Sequence, residues 1–138
     1  MTDSPAPSAP LRIVSIEDDP LTNDFVRLAL RSEGYNVITV GDSAEGLRII
    51  RQDPPDLILL DIMMPGMDGW ELYRQMRAID DLKDVPVIVV TARATQVDRI
   101  YAEKIAQVDA YLLKPFAPAE LRKAIADVLN RAGGSPAP

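Results

Sequence analysis

The chain has 138 residues, of which 47% are apolar and 26% charged, a size and balance typical of one soluble globular domain. It contains neither cysteine nor histidine, which excludes disulfide frameworks, thiolate zinc sites and every mechanism that uses a histidine base. The net charge of −6 disfavours contact with a nucleic-acid backbone, so we expect no direct nucleic-acid partner.

Both ends of the chain are rich in proline and carry no pattern that could bury a face. Residues 1–10 are therefore predicted to be a disordered tail, 11–130 the folded domain, and 131–138 a second tail or the start of a linker. The N-terminal segment has no signal-peptide pattern, and no apolar run is long enough to cross a bilayer. We expect a cytoplasmic protein with no membrane insertion.

Five short apolar runs alternate with segments of helical period, the pattern of parallel strands covered by helices. In chain order they predict strand 11–16, helix 20–33, strand 36–40, helix 42–52, strand 56–60, helix 69–79, strand 86–90, helix 97–108, strand 110–113 and helix 118–129. The first helix begins at Pro20, stops at Gly34, and has an apolar face of Leu21, Phe25, Leu28 and Ala29. Asp42 and Glu45 form a capping pair for the second helix.

Five successive β-α units predict an α/β fold, a doubly wound five-stranded parallel sheet in the flavodoxin-like order 2-1-3-4-5 with helices on both faces. In such a sheet the chemistry lies at the carboxyl ends of the strands. The residues expected there carry charged or hydroxyl side chains: Glu17, Asp18, Asp19, Asp61, Thr91 and Lys114.

Clustered carboxylates repel one another, so this edge of the sheet favours a bound cation, and hard carboxylate oxygens at an open edge suit Mg²⁺. Asp61 ends the middle strand, and Lys114 supplies a second positive charge. A metal, a lysine and a hydroxyl around one central carboxylate can stabilise a phosphoryl group on that carboxylate. Asp19 is either a member of the metal site or the N-cap of the first helix.

Four motifs occur in this order: IVSIEDDP, LILLDIMMPGMDG, VIVVTA and YLLKPF, with intervals of 43, 30 and 23 residues from Asp18 through Asp61 and Thr91 to Lys114. Over residues 11–130 the chain resembles the receiver domains of two-component response regulators. The resemblance implies a single-domain phosphorelay switch, which accepts a phosphoryl group on Asp61 from a sensor histidine kinase or a histidine phosphotransfer protein. It implies signalling by protein contacts, with no enzymatic activity beyond its own phosphoryl transfer and autodephosphorylation.

The same resemblance assigns the metal site. It implies that Asp18 and Asp61 ligate Mg²⁺ together with the backbone carbonyl of Met63, and that Glu17 contributes through water or indirectly. Lys114 is implied to pair with the phosphoryl group, and its peptide bond to the following proline is expected to be cis.

Thr91 and Tyr111 are implied to form the switch, with Thr91 donating its hydroxyl to the phosphoryl group. The alternative is that Tyr111 is an edge tyrosine without a switching role. The resemblance places the downstream partner on the face made by the fourth helix, fifth strand and fifth helix. Met63 and Arg93 lie two residues after Asp61 and Thr91, positions that the resemblance implies tune the lifetime of the phosphorylated state. Neither can act as a general base, which predicts slow autodephosphorylation.

Two other functions share this fold or chemistry. An aspartyl-phosphate-forming, Mg²⁺-dependent hydrolase needs a second acid at the position of Met63, and a flavin carrier needs a phosphate loop where residues 17–19 are acidic. One departure from the receiver pattern lies before the fifth strand, where the usual glycine is missing. Gln107 either extends the fourth helix or takes a less comfortable turn.

Overall fold

The structure is a computed structural model that describes residues 10–66, 68–92 and 95–132. Strands and helices alternate along these ranges, as predicted. The strands are β1 (Arg12–Ile16), β2 (Asn36–Val40), β3 (Leu57–Asp61), β4 (Val87–Thr91) and β5 (Ala110–Leu113), and the helices are α1 (Pro20–Leu30), α2 (Ser43–Gln52), α3 (Gly69–Arg77), α4 (Gln96–Ile100) and α5 (Pro118–Ala132). The end of α5 includes two residues that the sequence placed in the C-terminal tail. None of the helices in these ranges is both long enough and apolar enough to cross a membrane.

The five strands form one parallel sheet in the order β2-β1-β3-β4-β5, which confirms the predicted doubly wound topology. Successive strand residues point to opposite faces, so each strand supplies two cores. Leu57 and Leu59 pack with α1 and α5, while Ile58 and Leu60 pack with α2 and α3 on the other face. Burial on both faces is why the strands are continuous apolar runs.

Aspartate side chains cap three of the helices. Asp42 accepts a hydrogen bond from the Glu45 N–H at 3.0 Å, which confirms the predicted start of α2. Asp19 accepts from the Leu21 N–H at 3.2 Å and caps α1, which decides between the two roles left open for it. Asp19 is not one of the three residues whose carboxylate oxygens cluster at the end of the sheet.

The buried face of α1 agrees only in part with the predicted apolar stripe, of which Ala29 is buried and Phe25 packs against the same core. Leu21 and Leu28 are 77% and 63% exposed, whereas Val26, Leu30 and the amide of Asn23 are buried. Both sets of residues repeat at helical spacing, so periodicity alone could not decide between them. The packing of α1 against α5 and the sheet buries the second set and leaves the first at the surface.

The fourth helix is also not the single element predicted over 97–108. It is α-helical to Ile100 and continues as a π-helix over Tyr101–Ala106. Gln107 then takes a left-handed conformation with φ of 54°, so it forms the strained turn rather than extending the helix. The Val108 N–H donates to the Ala102 carbonyl at 3.1 Å and closes that turn.

Candidate functional site

Three carboxylates meet at the carboxyl end of the two central strands. Asp61 is the last residue of β3, and Glu17 and Asp18 directly follow β1. The register that pairs Ile16 with Leu60 places Glu17 level with Asp61. One oxygen from each of the three carboxylates lies within 4.8 Å of the others. Glu17 and Asp61 are 3% and 4% exposed, while Asp18 is open to solvent. Their mutual repulsion makes this cluster a suitable site for a hard divalent cation.

Lys114 reaches the cluster from the loop after β5. Its Nζ lies 2.5 Å from Oε1 of Glu17 and 3.3 Å from Oδ2 of Asp61. The Lys114 N–H donates to the Thr91 carbonyl at 2.8 Å, which ties this loop to the end of β4. The peptide bond between Lys114 and Pro115 is cis, as expected. Burial lowers the pKa of Lys114, but the hydrogen bond that its ammonium group donates to Glu17 and the charge of Asp61 outweigh burial and leave that pKa raised.

Glu17 is the nearer acidic partner of Lys114, a contact that the sequence did not predict. Burial, reinforced by the negative charge of Asp61, raises the pKa of Glu17 to about 7 although the hydrogen bond with Lys114 opposes the shift. The second oxygen, Oε2, accepts the Asp19 N–H at 3.1 Å. Glu17 therefore links the lysine to the β1–α1 loop.

The Asp61 carboxylate is held through both oxygens. Oδ1 accepts the Met63 N–H at 2.8 Å, and Oδ2 faces Lys114. The start of α3 is pressed against this strand end, because a Cβ added to Gly69 would lie 2.3 Å from the Ile62 Cα and 2.9 Å from the Asp61 carbonyl oxygen. Only glycine fits this close approach.

The residues expected to form the switch lie on the neighbouring strands. Thr91 is fully buried at the end of β4, one residue beyond Val90, the partner of Asp61 in the sheet. Tyr111 lies on β5, half-buried, with the Arg99 guanidinium of α4 5.3 Å from its ring centroid. The structure therefore brings Thr91 to the same edge as Asp61 and places Tyr111 under α4.

Of the two residues expected to tune the phosphoryl lifetime, the structure describes only Met63. Met63 is 45% exposed, and its main-chain N–H donates to Asp61, so it lies at the rim of the carboxylate cluster. Arg93 lies outside the described residues.

Asn23 is a residue of the site that the sequence reasoning missed. It is 8% exposed, and its Nδ2 donates to the main-chain carbonyl of Glu17 at 2.9 Å. Its burial could have been predicted from its spacing of three and seven residues from Val26 and Leu30, which places the amide on the same face of the helix.

Comparisons with known proteins agree with this geometry. Residues 13–126 match the sequence model of the family described as response regulator receiver domain. The response regulator MprA of Mycobacterium leprae is 40% identical over 121 residues, which cover 88% of this chain and 52% of MprA. The DNA-binding response regulator MtrA of Mycolicibacterium smegmatis is 36% identical over 126 residues, covering 91% of this chain and 54% of MtrA. The chain thus spans about half the length of these curated relatives.

A solved structure also matches. The receiver domain of sensor histidine kinase PA1611 from Pseudomonas aeruginosa PAO1 is 36% identical, with a TM-score of 0.77 and coverage of 91% of this chain and 99% of that domain. Its crystal structure has a magnesium ion coordinated in the active site cleft. The family match covers most of the chain, including all five strands and the carboxylate cluster. The chain therefore belongs to the response regulator receiver domain family, the signalling domains of two-component systems.

Proposed function

We propose that this chain is a phosphorylation-activated switch and that Asp61 accepts the phosphoryl group. The observation that carries the proposal is the position of Asp61, a buried carboxylate with one oxygen within 4.8 Å of oxygens of Glu17 and Asp18 and another 3.3 Å from the ammonium group of Lys114. We assign Mg²⁺ to Asp18 and Asp61 with the main-chain carbonyl of Met63, and an indirect role to Glu17. When bound, the cation supplies positive charge for the phosphoryl oxygens.

The phosphodonor in this proposal is a phosphohistidine on a sensor kinase or phosphotransfer protein. An Asp61 carboxylate oxygen attacks the phosphorus atom, the phosphorus–nitrogen bond breaks, and an acyl phosphate forms as the imidazole leaves. Lys114 neutralises the new charge, and for this its Nζ moves away from Glu17, which it contacts more closely than Asp61 in the structure. The Thr91 hydroxyl donates a hydrogen bond to the phosphoryl group, and the resulting shift of Thr91 changes the position of Tyr111.

The surface beside Lys114 supports a protein phosphodonor. A groove of about 240 Å³ is lined by Leu21, Thr22, Phe25, Lys114, Pro115 and Phe116. The Phe25 and Phe116 rings meet edge to face at 5.5 Å, and Leu21 is exposed at the margin. An apolar surface next to the acceptor carboxylate can hold a donor protein with its phosphohistidine within reach of Asp61.

The remaining partners follow from charge and position. The net charge of −6 supports signalling through proteins rather than direct contact with nucleic acid, and we place the protein in the cytoplasm, where its donor kinase presents the phosphohistidine. The downstream protein is assigned to the face formed by α4, β5 and α5, which includes Tyr111 of β5.

Acetyl phosphate with Mg²⁺ tests the proposal on the whole chain. We expect intact-mass spectrometry to show one phosphoryl group on the wild type and none on Asp61→Asn. Asp24→Asn is the matched control, since Asp24 is an exposed aspartate that pairs with Arg27 on α1. Full modification of Asp61→Asn would refute the assignment of the acceptor. Continuous release of phosphate from acetyl phosphate, without accumulation of the modified chain, would instead favour the hydrolase.

A further inference from the structure

Asn23 is a buried amide in a helix face that is otherwise apolar. The buried residues of α1 are Asn23, Val26, Ala29 and Leu30. The Nδ2 of Asn23 donates to the main-chain carbonyl oxygen of Glu17 at 2.9 Å, and its Oδ1 has no hydrogen-bond partner among the described residues. A carbonyl oxygen can only accept, so the amide must present nitrogen to Glu17 and leave its oxygen buried on the other side.

This arrangement is costly for folding alone. A buried acceptor without a partner loses the hydrogen bonds that it makes with water in the unfolded chain. A leucine or alanine at the same position would continue the apolar face of Val26 and Leu30 without that loss. The hydrogen bond that the Asn23 amide donates to the Glu17 carbonyl is therefore a better explanation for this residue than a contribution to folding stability.

The group that Asn23 holds is the peptide plane leading to Asp18. The Glu17 N–H already donates to the Val40 carbonyl at 2.9 Å, which fixes one side of Glu17 to β2. The bond from Asn23 fixes the other side, because the Glu17 carbonyl belongs to the peptide between Glu17 and Asp18. With both sides held, the backbone direction at Asp18 is set before any cation binds. Asp18 itself is exposed and lies in the loop rather than in a strand.

We propose that Asn23 is a positioning residue for the cation site, which orients Asp18 toward Asp61 through the Glu17 carbonyl. This inference rests on the proposed function, since it assumes that Asp18 and Asp61 bind Mg²⁺. Asn23 does not touch the cation. It reduces the backbone freedom that Asp18 loses on binding, so its removal weakens Mg²⁺ without abolishing the site.

The test measures Mg²⁺ affinity by calorimetric titration and the thermal unfolding temperature with and without Mg²⁺. We expect Asn23→Leu to bind Mg²⁺ about tenfold more weakly than the wild type, the lower end of the effect of losing an outer-shell contact. Its unfolding temperature without Mg²⁺ should be equal to or above that of the wild type. Asn23→Ala, which cannot overpack, serves if the leucine variant does not fold.

Thr22→Ala is the matched control. The Thr22 hydroxyl donates to Oδ2 of Asp19 at 2.8 Å, so the variant loses a hydrogen bond in the same loop without touching the Glu17 carbonyl. We expect wild-type affinity for Mg²⁺. Affinity within twofold of the wild type in both Asn23 variants would overturn the inference, as would an equal loss in Thr22→Ala. If the wild type itself failed to bind Mg²⁺, the metal site of the proposed function would fail instead.

Discussion

Replacement of Glu17 by glutamine should remove the contribution of this carboxyl to the pH dependence of the unfolding free energy in metal-free protein. Burial raises the pKa of Glu17 from 4.5 to about 7, so the native state binds its proton more tightly than the unfolded chain does. The stabilisation from that proton is complete below pH 4.5 and is lost as the pH rises through 7. With these two values the free energy of unfolding of the wild type should fall by about 2 to 3 kcal/mol between pH 5 and pH 8, a loss that Glu17→Gln should not show.

Urea unfolding in EDTA at pH 5 and pH 8 measures this difference, with the fluorescence of Trp70, the single tryptophan, as the probe. Glu45→Gln is the control, because the hydrogen bond with Arg48 lowers the pKa of the exposed Glu45 carboxyl. The stability from this shift is lost only as the pH falls below the unfolded-chain pKa of 4.5, so the wild type and Glu45→Gln should differ by a nearly constant amount between pH 5 and pH 8. A wild type that gained stability relative to Glu17→Gln between pH 5 and pH 8 would refute the reasoning, since the Lys114 ion pair would then outweigh burial.

Three further predictions concern single positions. Gly69→Ala should lower the free energy of unfolding in urea by about 3 kcal/mol, because the added Cβ would meet the Ile62 backbone. Gly41→Ala is the control and should be tolerated, since the nearest atom to its added Cβ is 3.7 Å away. Equal losses in the two variants would contradict the close approach at Gly69. Gln107→Gly should raise the unfolding free energy by about 0.5 kcal/mol by relieving the left-handed strain, and a decrease would show that the glutamine side chain matters more. Met63→Asn combined with Arg93→Glu should shorten the lifetime of the phosphorylated protein several-fold, because an amide and a carboxylate can orient the attacking water, and first-order decay at or below the wild-type rate would exclude this role.

The fold could be predicted from the sequence because its signals are local. A parallel strand that is buried on both faces must be apolar at every position, so β1, β3 and β4 stand out as short continuous runs. Handedness and strand order then follow from general rules of chain connection. Once the strand ends were known, the meeting of Asp18, Asp61, Thr91 and Lys114 at one edge followed from topology, without any knowledge of side-chain contacts.

Tertiary packing decided which face of a helix is buried and which of two carboxylates pairs with a lysine, because the sequence is compatible with either choice. Leu21 and Leu28 are seven residues apart and Val26 and Leu30 four, spacings that both place two residues on one face of a helix, and only the packing of α1 buries the second pair. The sequence also could not predict which carboxylate lies nearer to Lys114. Asp61 ends β3, Glu17 directly follows the neighbouring β1, and their side chains differ in length by one methylene.

The role of Asn23 depends on a hydrogen bond between a helix side chain and the carbonyl of the preceding loop. By itself, then, the sequence determined the sheet, its edge and the charged groups assembled there, since these depend on local patterns and chain connection. Only the three-dimensional packing decided how those groups pair and which buried residues hold them, because such contacts depend on distances between elements that no periodicity records.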